Sequence, residues 1–201
     1  AQKITYSANS SDVQPQVLQL KEKNPDVAIF VSYTSDAILY AKTMKELNWK
    51  PSIMIADNAG FNDPSFIKQM GSTVEGLVNR SAFSGGKPGT VPYIFNELYK
   101  KKSGGDDLDD VSVRGLQGFL VLADAINRAG STEPAKIQAA LRATNLPASQ
   151  MVAGYDGVKF DDKGQNILAS SIVTQLRNGK YVAIAPKERA TAEVILPYKG
   201  W

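Results

Sequence analysis

Residues 27–56, VAIFVSYTSDAILYAKTMKELNWKPSIMIA, decide the fold. Val27 to Ser32 is a continuous apolar run of the kind carried by a strand buried on both faces, and Ser52 to Ala56 (SIMIA) repeats it. Between them Ser35 reads as an N-cap, and Ile38, Leu39, Met44 and Leu47 recur at helical spacing. Strand, helix, strand in this order means parallel strands joined by a right-handed helical crossover. Upstream, Lys3 to Ser7 (KITYS) predicts a short strand. Ser11 predicts a helix start, with Gln14 three residues on and Pro15 in the first turn; Val13, Val17, Leu18 and Leu20 mark the buried face. Downstream, Asp63-Pro64 opens a short helix to about Met70, and Gly76 to Asn79 is a fourth strand.

Past Ser84 the pattern changes. Ser84 to Thr90 (SGGKPGT) is a Gly/Pro-rich linker, followed by helical patterns over Val91 to Lys102, Val111 to Arg128 (ended by Gly130) and Glu133 to Thr144. The tail is β-like: turn sequences at Tyr155 to Val158 and Asp161 to Gly164 enclose a short strand. Ile172 to Leu176 and Tyr181 to Ala185 flank Asn178-Gly179, a strong hairpin signal.

Composition removes whole classes of chemistry. The 201 residues are 43% hydrophobic, enough for a core and against intrinsic disorder. There is no Cys and no His, which excludes a thiolate nucleophile, a Ser-His-Asp relay, the usual zinc site and disulfides. The lack of Cys fits an oxidising compartment. Lys and Arg number 23 against 20 Asp and Glu. Lys100 to Lys102 are answered by Asp106, Asp107, Asp109 and Asp110, so no nucleic-acid surface is expected. The longest apolar stretches, such as Gly118 to Ala125, fall short of the roughly 20 residues of a membrane span, and no signal peptide opens the chain; soluble, mature or truncated material is expected.

The candidate sites differ in quality. Lys87 in SGGKPG is followed by Pro88, so this is not a phosphate loop. The aspartates at 106 to 110 lack the spacing of a calcium loop, and Asp161, Asp162 and Gly164 form a turn. No metal site and no cofactor are expected. In an open parallel sheet, ligands collect at the carboxyl ends of the strands, where helix N-termini present unpaired N–H groups. Two loops lie there: Ser32 to Asp36, with Tyr33, Thr34 and Ser35, and Asp57 to Phe61, with Asn58, Ala59 and Gly60. Their mix of hydrogen-bonding side chains, an aromatic and a glycine is that of a small-molecule site, and equally that of helix caps and turns.

The order of these segments resembles a known family. ITYSANSSDVQPQVLQLKEKNPDVAIFVSYTSDAILYAKTMKELNWKP, FIKQMGSTVEGLV, GLQGFLVLADAINRAGS, YDGVKFDDKGQN and IVTQLRNGKYVAIAPKERATAEVILPYKGW are together similar to type I periplasmic binding proteins. The likeness is to the branched-chain amino acid group that feeds ABC importers, and it covers essentially the whole chain. It implies an α/β, Venus-flytrap fold: a parallel sheet flanked by helices, with an incomplete first lobe because the amino-terminal half is missing. Residues 1–84 would belong to lobe two with the ligand-binding face, 85–168 to a remnant of lobe one with interlobe helices, and 169–201 to a closing hairpin and tail returning to lobe two.

The resemblance further implies a non-enzymatic, periplasmic receptor, or one lipid-anchored outside a bacterium without an outer membrane. It would capture a small metabolite between two lobes and deliver it to an ABC permease in the inner membrane. Tyr33, Thr34, Ser35, Asp57, Asn58, Ala59, Gly60 and Phe61 would bind the ligand. Relatives that take amino acids hold the ammonium with an acid in the second loop; the alignment places Ala59 there, with Asp57 two residues earlier, so amides, aromatic acids and other metabolites stay open. A ligand-sensing regulator of the same fold is the alternative, and an α/β enzyme is disfavoured because no nucleophile–base arrangement is identifiable. Leu116, Phe119, Leu120, Leu122 and Ile126 would have too little to pack against, so self-association of the truncated chain is expected.

Overall fold

The 27–56 stretch folds as a parallel strand–helix–strand unit in the computed structural model, which describes residues 1–57 and 59–201. Strands β1 (Val27–Phe30) and β2 (Ile53–Ala56) are parallel, with Val27 opposite Ile53 and Phe30 opposite Ala56. Helix α2 (Thr34–Glu46) makes the crossover. Strand β2 in turn pairs in parallel with β3 (Val78–Ser81), Ala56 opposite Asn79. Helix α1 (Gln14–Lys23) precedes β1, and α3 (Pro64–Met70) connects β2 towards β3.

Strands β6 (Ile172–Arg177) and β7 (Lys180–Ala185) return to complete a 5-stranded sheet of order β1-β2-β3-β6-β7. They form an antiparallel hairpin. Asn178 and Gly179, at φ 51° and 75°, supply the two left-handed residues that a tight hairpin turn with the sheet's twist requires. Gly76 N–H donates to the Leu176 carbonyl at 2.9 Å, and Leu176 N–H to the Leu77 carbonyl at 2.8 Å. The sheet is thus mixed, with its parallel part in β1 to β3.

The chain divides into two units: Ala1–Ser81 with Val173–Trp201, and Ala82–Ile172. In the first, Ala28, Phe30, Met54 and Ala56 point from alternate strand positions into a core with Val13, Val17, Ala37, Ala41, Met44, Phe61 and Phe66. In the second, α4 (Val91–Ser103), α5 (Asp110–Ala129) and α6 (Pro134–Arg142) accompany a small antiparallel sheet of β4 (Asn145–Pro147) and β5 (Gly157–Lys159). Val113 and Val152 centre one apolar cluster here, and Val121, Met151 and Val158 another. Gln117 of α5 is buried, and its Oε1 accepts the N–H groups of Val152 (2.8 Å) and Ala153 (3.2 Å), fixing the loop after β4 to the helix.

Several elements differ from the sequence reading. Strand β1 is buried on one face only: Val27 and Ile29 are 44% and 66% exposed, and Val31, just past its end, is 59% exposed. The physical reason is handedness. Right-handed crossovers that step in one direction along a sheet place their helices on one side, so the other side of β1 is left bare. Lys3 to Ser7 joins no strand ladder; the Tyr6 ring instead packs edge-on against Tyr40 at 5.1 Å. Helix α1 starts at Gln14 rather than near Ser11: Val13 is its N-cap, and just ahead of it the Asp12 carboxylate accepts the Gln14 N–H at 2.8 Å. The N-cap of α2 is Tyr33, not Ser35. The fourth strand begins at Val78, since Gly76 is held at φ 87°. Strand β4 was not anticipated.

The aspartate-rich loop serves local structure. Asp107 accepts the Asn96 amide at 2.6 Å and pairs with Lys100 at 2.9 Å, and the Asp109 side chain caps α5 in a reciprocal arrangement with Ser112. Among the described residues no helix is long and apolar enough to cross a membrane.

Candidate functional site

Two chain turns leave the carboxyl ends of β1 and β2, and a glycine holds them together. A Cβ on Gly60 would lie 2.3 Å from the Ser32 carbonyl oxygen and 2.7 Å from the Thr34 nitrogen, so only a residue without a side chain lets the second loop press onto the backbone of the first. Tyr33, Thr34, Gly60 and Phe61 are thereby gathered at one sheet edge.

Each residue of the pair of loops has a defined surrounding. Tyr33, at the N-cap of α2, is 64% exposed, offering an aromatic face and a hydroxyl. Thr34 Oγ1 donates to Asp63 Oδ2 at 3.2 Å, across from one loop to the start of α3. Ser35 Oγ donates to the Asn9 side chain at 3.3 Å, and Asp36, buried beside it, accepts the Asn9 N–H at 3.2 Å. Asp63 caps α3 by accepting the Ser65 N–H at 2.7 Å. Partial burial disfavours the charged Asp63 carboxylate, but the hydrogen bonds from Ser65, Thr34 and Phe66 outweigh it and hold its pKa below the ordinary value.

Asp57 follows β2 in the phase of Ile53 and Ile55, opposite to buried Met54 and Ala56. Its carboxylate meets Arg80 Nε of β3 in a short ion pair, with both side chains about half exposed. The register that sets Ala56 opposite Asn79 brings these two charges together. Arg80 is a residue that the sequence reading missed. Its signal was the parallel register itself, which sets the residue after β2 beside the one after Asn79.

The rest of the second loop divides in two. The Phe61 side chain has no accessible surface, stacks edge-on to Phe66 at 5.2 Å, and belongs to the core. Its carbonyl accepts the Tyr181 hydroxyl at 2.8 Å, so the loop is anchored to β7 as well. Burial pushes the Tyr181 hydroxyl's pKa well up, keeping it a neutral donor. Ala59 belongs to the turn Ala59–Phe61, and Asn58 lies outside the described residues. Among the described residues no group of three His, Cys, Asp or Glu side chains could hold a metal ion. The arrangement holds polar groups, a charge pair and an exposed aromatic on a rigid edge, which suits binding.

The family model described as "Periplasmic binding protein" matches residues 1–180. The chain belongs to the periplasmic binding protein family. It is 30% identical over 202 residues to Leu/Ile/Val-binding protein homolog 8 of Brucella abortus (strain 2308), covering 96% of this chain and 48% of that protein. Homolog 7 of the same strain is 30% identical over 203 residues, with coverage of 96% and 49%. The chain therefore spans about half the length of the curated relatives it matches. Among solved structures, the leucine-binding protein LivK of Thermotoga maritima superposes with a TM-score of 0.76 at 25% identity, over 92% of this chain and 51% of that one. LivJ of Streptococcus pneumoniae, in complex with isoleucine, gives 0.74 at 17% identity, over 96% and 51%, a likeness of fold. The fold is thus that of the type I periplasmic binding proteins, represented here by part of a chain.

Proposed function

We propose that this chain is the ligand-holding part of a solute-binding receptor that captures an amino acid or related small metabolite outside the cytoplasm and delivers it to an ABC permease. The observation that carries this reading is the close seating of Gly60 on the Ser32–Thr34 backbone, which builds one rim from two loops at the carboxyl edge of a parallel sheet. On this reading residues 1–84 and 169–201 belong to lobe two, and 85–168 to lobe one. Tyr33, Thr34, Ser35 and the Asp57–Gly60 stretch contact the ligand, and Phe61 anchors the rim from below. The names of the relatives, Leu/Ile/Val-binding proteins, support a branched-chain amino acid or a close analogue as ligand.

The mechanism is capture by closure. A ligand that touches one lobe first and then gains contacts to the other stabilises the closed state by the difference, and the closed form is what a permease distinguishes. No bond is made or broken. The Asp57–Arg80 pair gives the rim a carboxylate and a guanidinium side by side, so a ligand with an ammonium and a carboxylate group finds a partner for each. A thermal-shift series with leucine, isoleucine, their amides and aromatic acids, run on a receptor that carries both halves of the family's length, tests the reading. A ligand at 100 times its Kd adds about 2.7 kcal/mol of stability and raises Tm. No shift with any of these compounds would overturn it.

A further inference from the structure

Beneath the rim, a buried side chain of β3 carries polar atoms that the described residues do not answer. Asn79 has no accessible surface, and neither its Nδ2 nor its Oδ1 has a hydrogen-bond partner among the described residues. Its neighbours on the sheet behave otherwise. Buried Thr174 donates from Oγ1 to the Asn79 carbonyl at 3.1 Å, and buried Gln175 donates from Nε2 to the carbonyls of Gly76 (3.0 Å) and Ile195 (2.8 Å). Residues opposite one another in a parallel pair share a face, so Asn79 points to the same side as Ala56, into the core. Ala56 brings only a methyl group there and cannot bond an amide. Asn62, buried just past the second loop, likewise has an Nδ2 without a partner among the described residues. Tyr181 links the two residues. Its hydroxyl donates its one proton to the carbonyl of Phe61, the residue before Asn62, at 2.8 Å. Asn79 lies beside the same hydroxyl and works against the rise in pKa that burial imposes, without meeting it in hydrogen-bond geometry. The hydroxyl oxygen keeps lone pairs with which to accept.

We infer that Asn79, Asn62 and Tyr181 form a binding site for buried water, whose one or two ordered molecules tie β3 to the end of the second loop. The chemistry of the groups selects the occupant. Two amide nitrogens that can only donate disfavour a cation, and no charged side chain joins them to favour an anion, since Asp57 and Arg80 lie on the opposite face of the sheet. A water can accept from the Nδ2 groups of Asn62 and Asn79 and donate to the Tyr181 oxygen, which makes about the three bonds usual for buried water. Asn79 Oδ1 is the acceptor for a second molecule. An amide left bare in a core costs more than a typical hydrogen bond contributes, whereas a bridging water costs little to hold. The consequence falls on the rim. The second loop is then held at three points: by Gly60 on the backbone of the first loop, by the Phe61 carbonyl on β7, and by Asn62 through solvent on β3. The inference needs only these buried groups and not the nature of the ligand, so it stands or falls apart from the proposed function.

A crystal structure of a receptor that carries both halves of the family's length, grown without added ligand and at a resolution that orders buried solvent, is the first test. The expected result is a water within about 3 Å of both Asn79 Nδ2 and Asn62 Nδ2. An Asn79 amide bonded directly to Tyr181 or Asn62 with no water between them would overturn the inference, as would a water that touches Asn79 alone. The second test is Asn79→Val in the same receptor, which replaces the amide by an apolar side chain suited to a strand. A bare amide would be a burden, so its loss would raise the urea midpoint or leave it unchanged, and either result contradicts the water site. A hydrated amide is a support, so the midpoint falls. The amides of residues 59–62 then exchange about tenfold faster than the fall in global stability alone accounts for, because the loop has lost its tie to β3. Loop amides that follow only the global loss would also count against the inference. If Asn79→Val does not fold, the solvent density of the parent decides.

Discussion

At Gly60 the space for a single methyl group decides whether the rim exists. A Cβ there would collide with backbone atoms of Ser32 to Thr34, which cannot turn away as a side chain could. Gly60→Ala is therefore expected to cost about 1–3 kcal/mol, the range for overpacking, and to spread the two loops. Urea denaturation measures the first effect and calorimetry with the receptor's ligand the second; an unaltered midpoint would mean the loops do not approach so closely. Asp57 is the contrasting case. Its pair with Arg80 is half exposed, so Asp57→Asn should change stability by less than about 1 kcal/mol. If Asp57 meets a ligand cation, the same change weakens binding by about 1.5–3 kcal/mol. Calorimetry beside denaturation separates the two, and equal affinities would leave Asp57 a partner of Arg80 alone. The loop residues were legible as candidates because Ser, Thr, Asp, Asn and Gly gather after strands for hydrogen bonding and turning. The fate of Phe61 was not, because an aromatic in a loop reads the same whether it faces a ligand or stacks on Phe66.

Helix α3 shows how one side chain defines an element and makes it sensitive to pH. It is short, Pro64–Met70, and Asp63 caps it while also accepting from Thr34 of the neighbouring loop. Asp63→Ala is expected to cost about 1 kcal/mol, the usual loss of an N-cap. The sign of the pH effect follows from the lowered carboxyl pKa: the contribution is complete above the unfolded value of about 3.9 and is lost as pH falls through the lower folded value. Asp63→Asn keeps a capping oxygen without the charge, so its denaturation midpoint should decline less than the parent's between neutrality and acid. Parallel declines would remove Asp63 as the titrating cap. This helix, like the Asn178-Gly179 hairpin, was legible because its signals are local. The bare side of β1 was not, because VAIFV states only that a strand is apolar, and the direction of the crossovers decides which face is covered. KITYS likewise has the composition of a strand, but a strand exists only where a neighbour pairs with it.

In the whole molecule, stability is divided between two cores, because the apolar clusters of Ala1–Ser81 with Val173–Trp201 are separate from those of Ala82–Ile172. Phe66 is fully buried in the first and stacks on Phe61, so Phe66→Ala removes both burial and an aromatic contact. The expected loss is about 3–5 kcal/mol, a large part of what an ordinary domain possesses. If each core unfolds as its own cooperative unit, that loss falls on β1, β2 and α2, whose amides should exchange faster by two or more powers of ten, at about 1.4 kcal/mol for each. The amides of α5, held by Val113, Val121 and the Gln117 bonds to Val152 and Ala153, should be unmoved. Hydrogen exchange followed by mass spectrometry reads both units in one sample. If α5 loses protection in step with β2, the chain unfolds as a single cooperative body and the division into two cores has no energetic meaning.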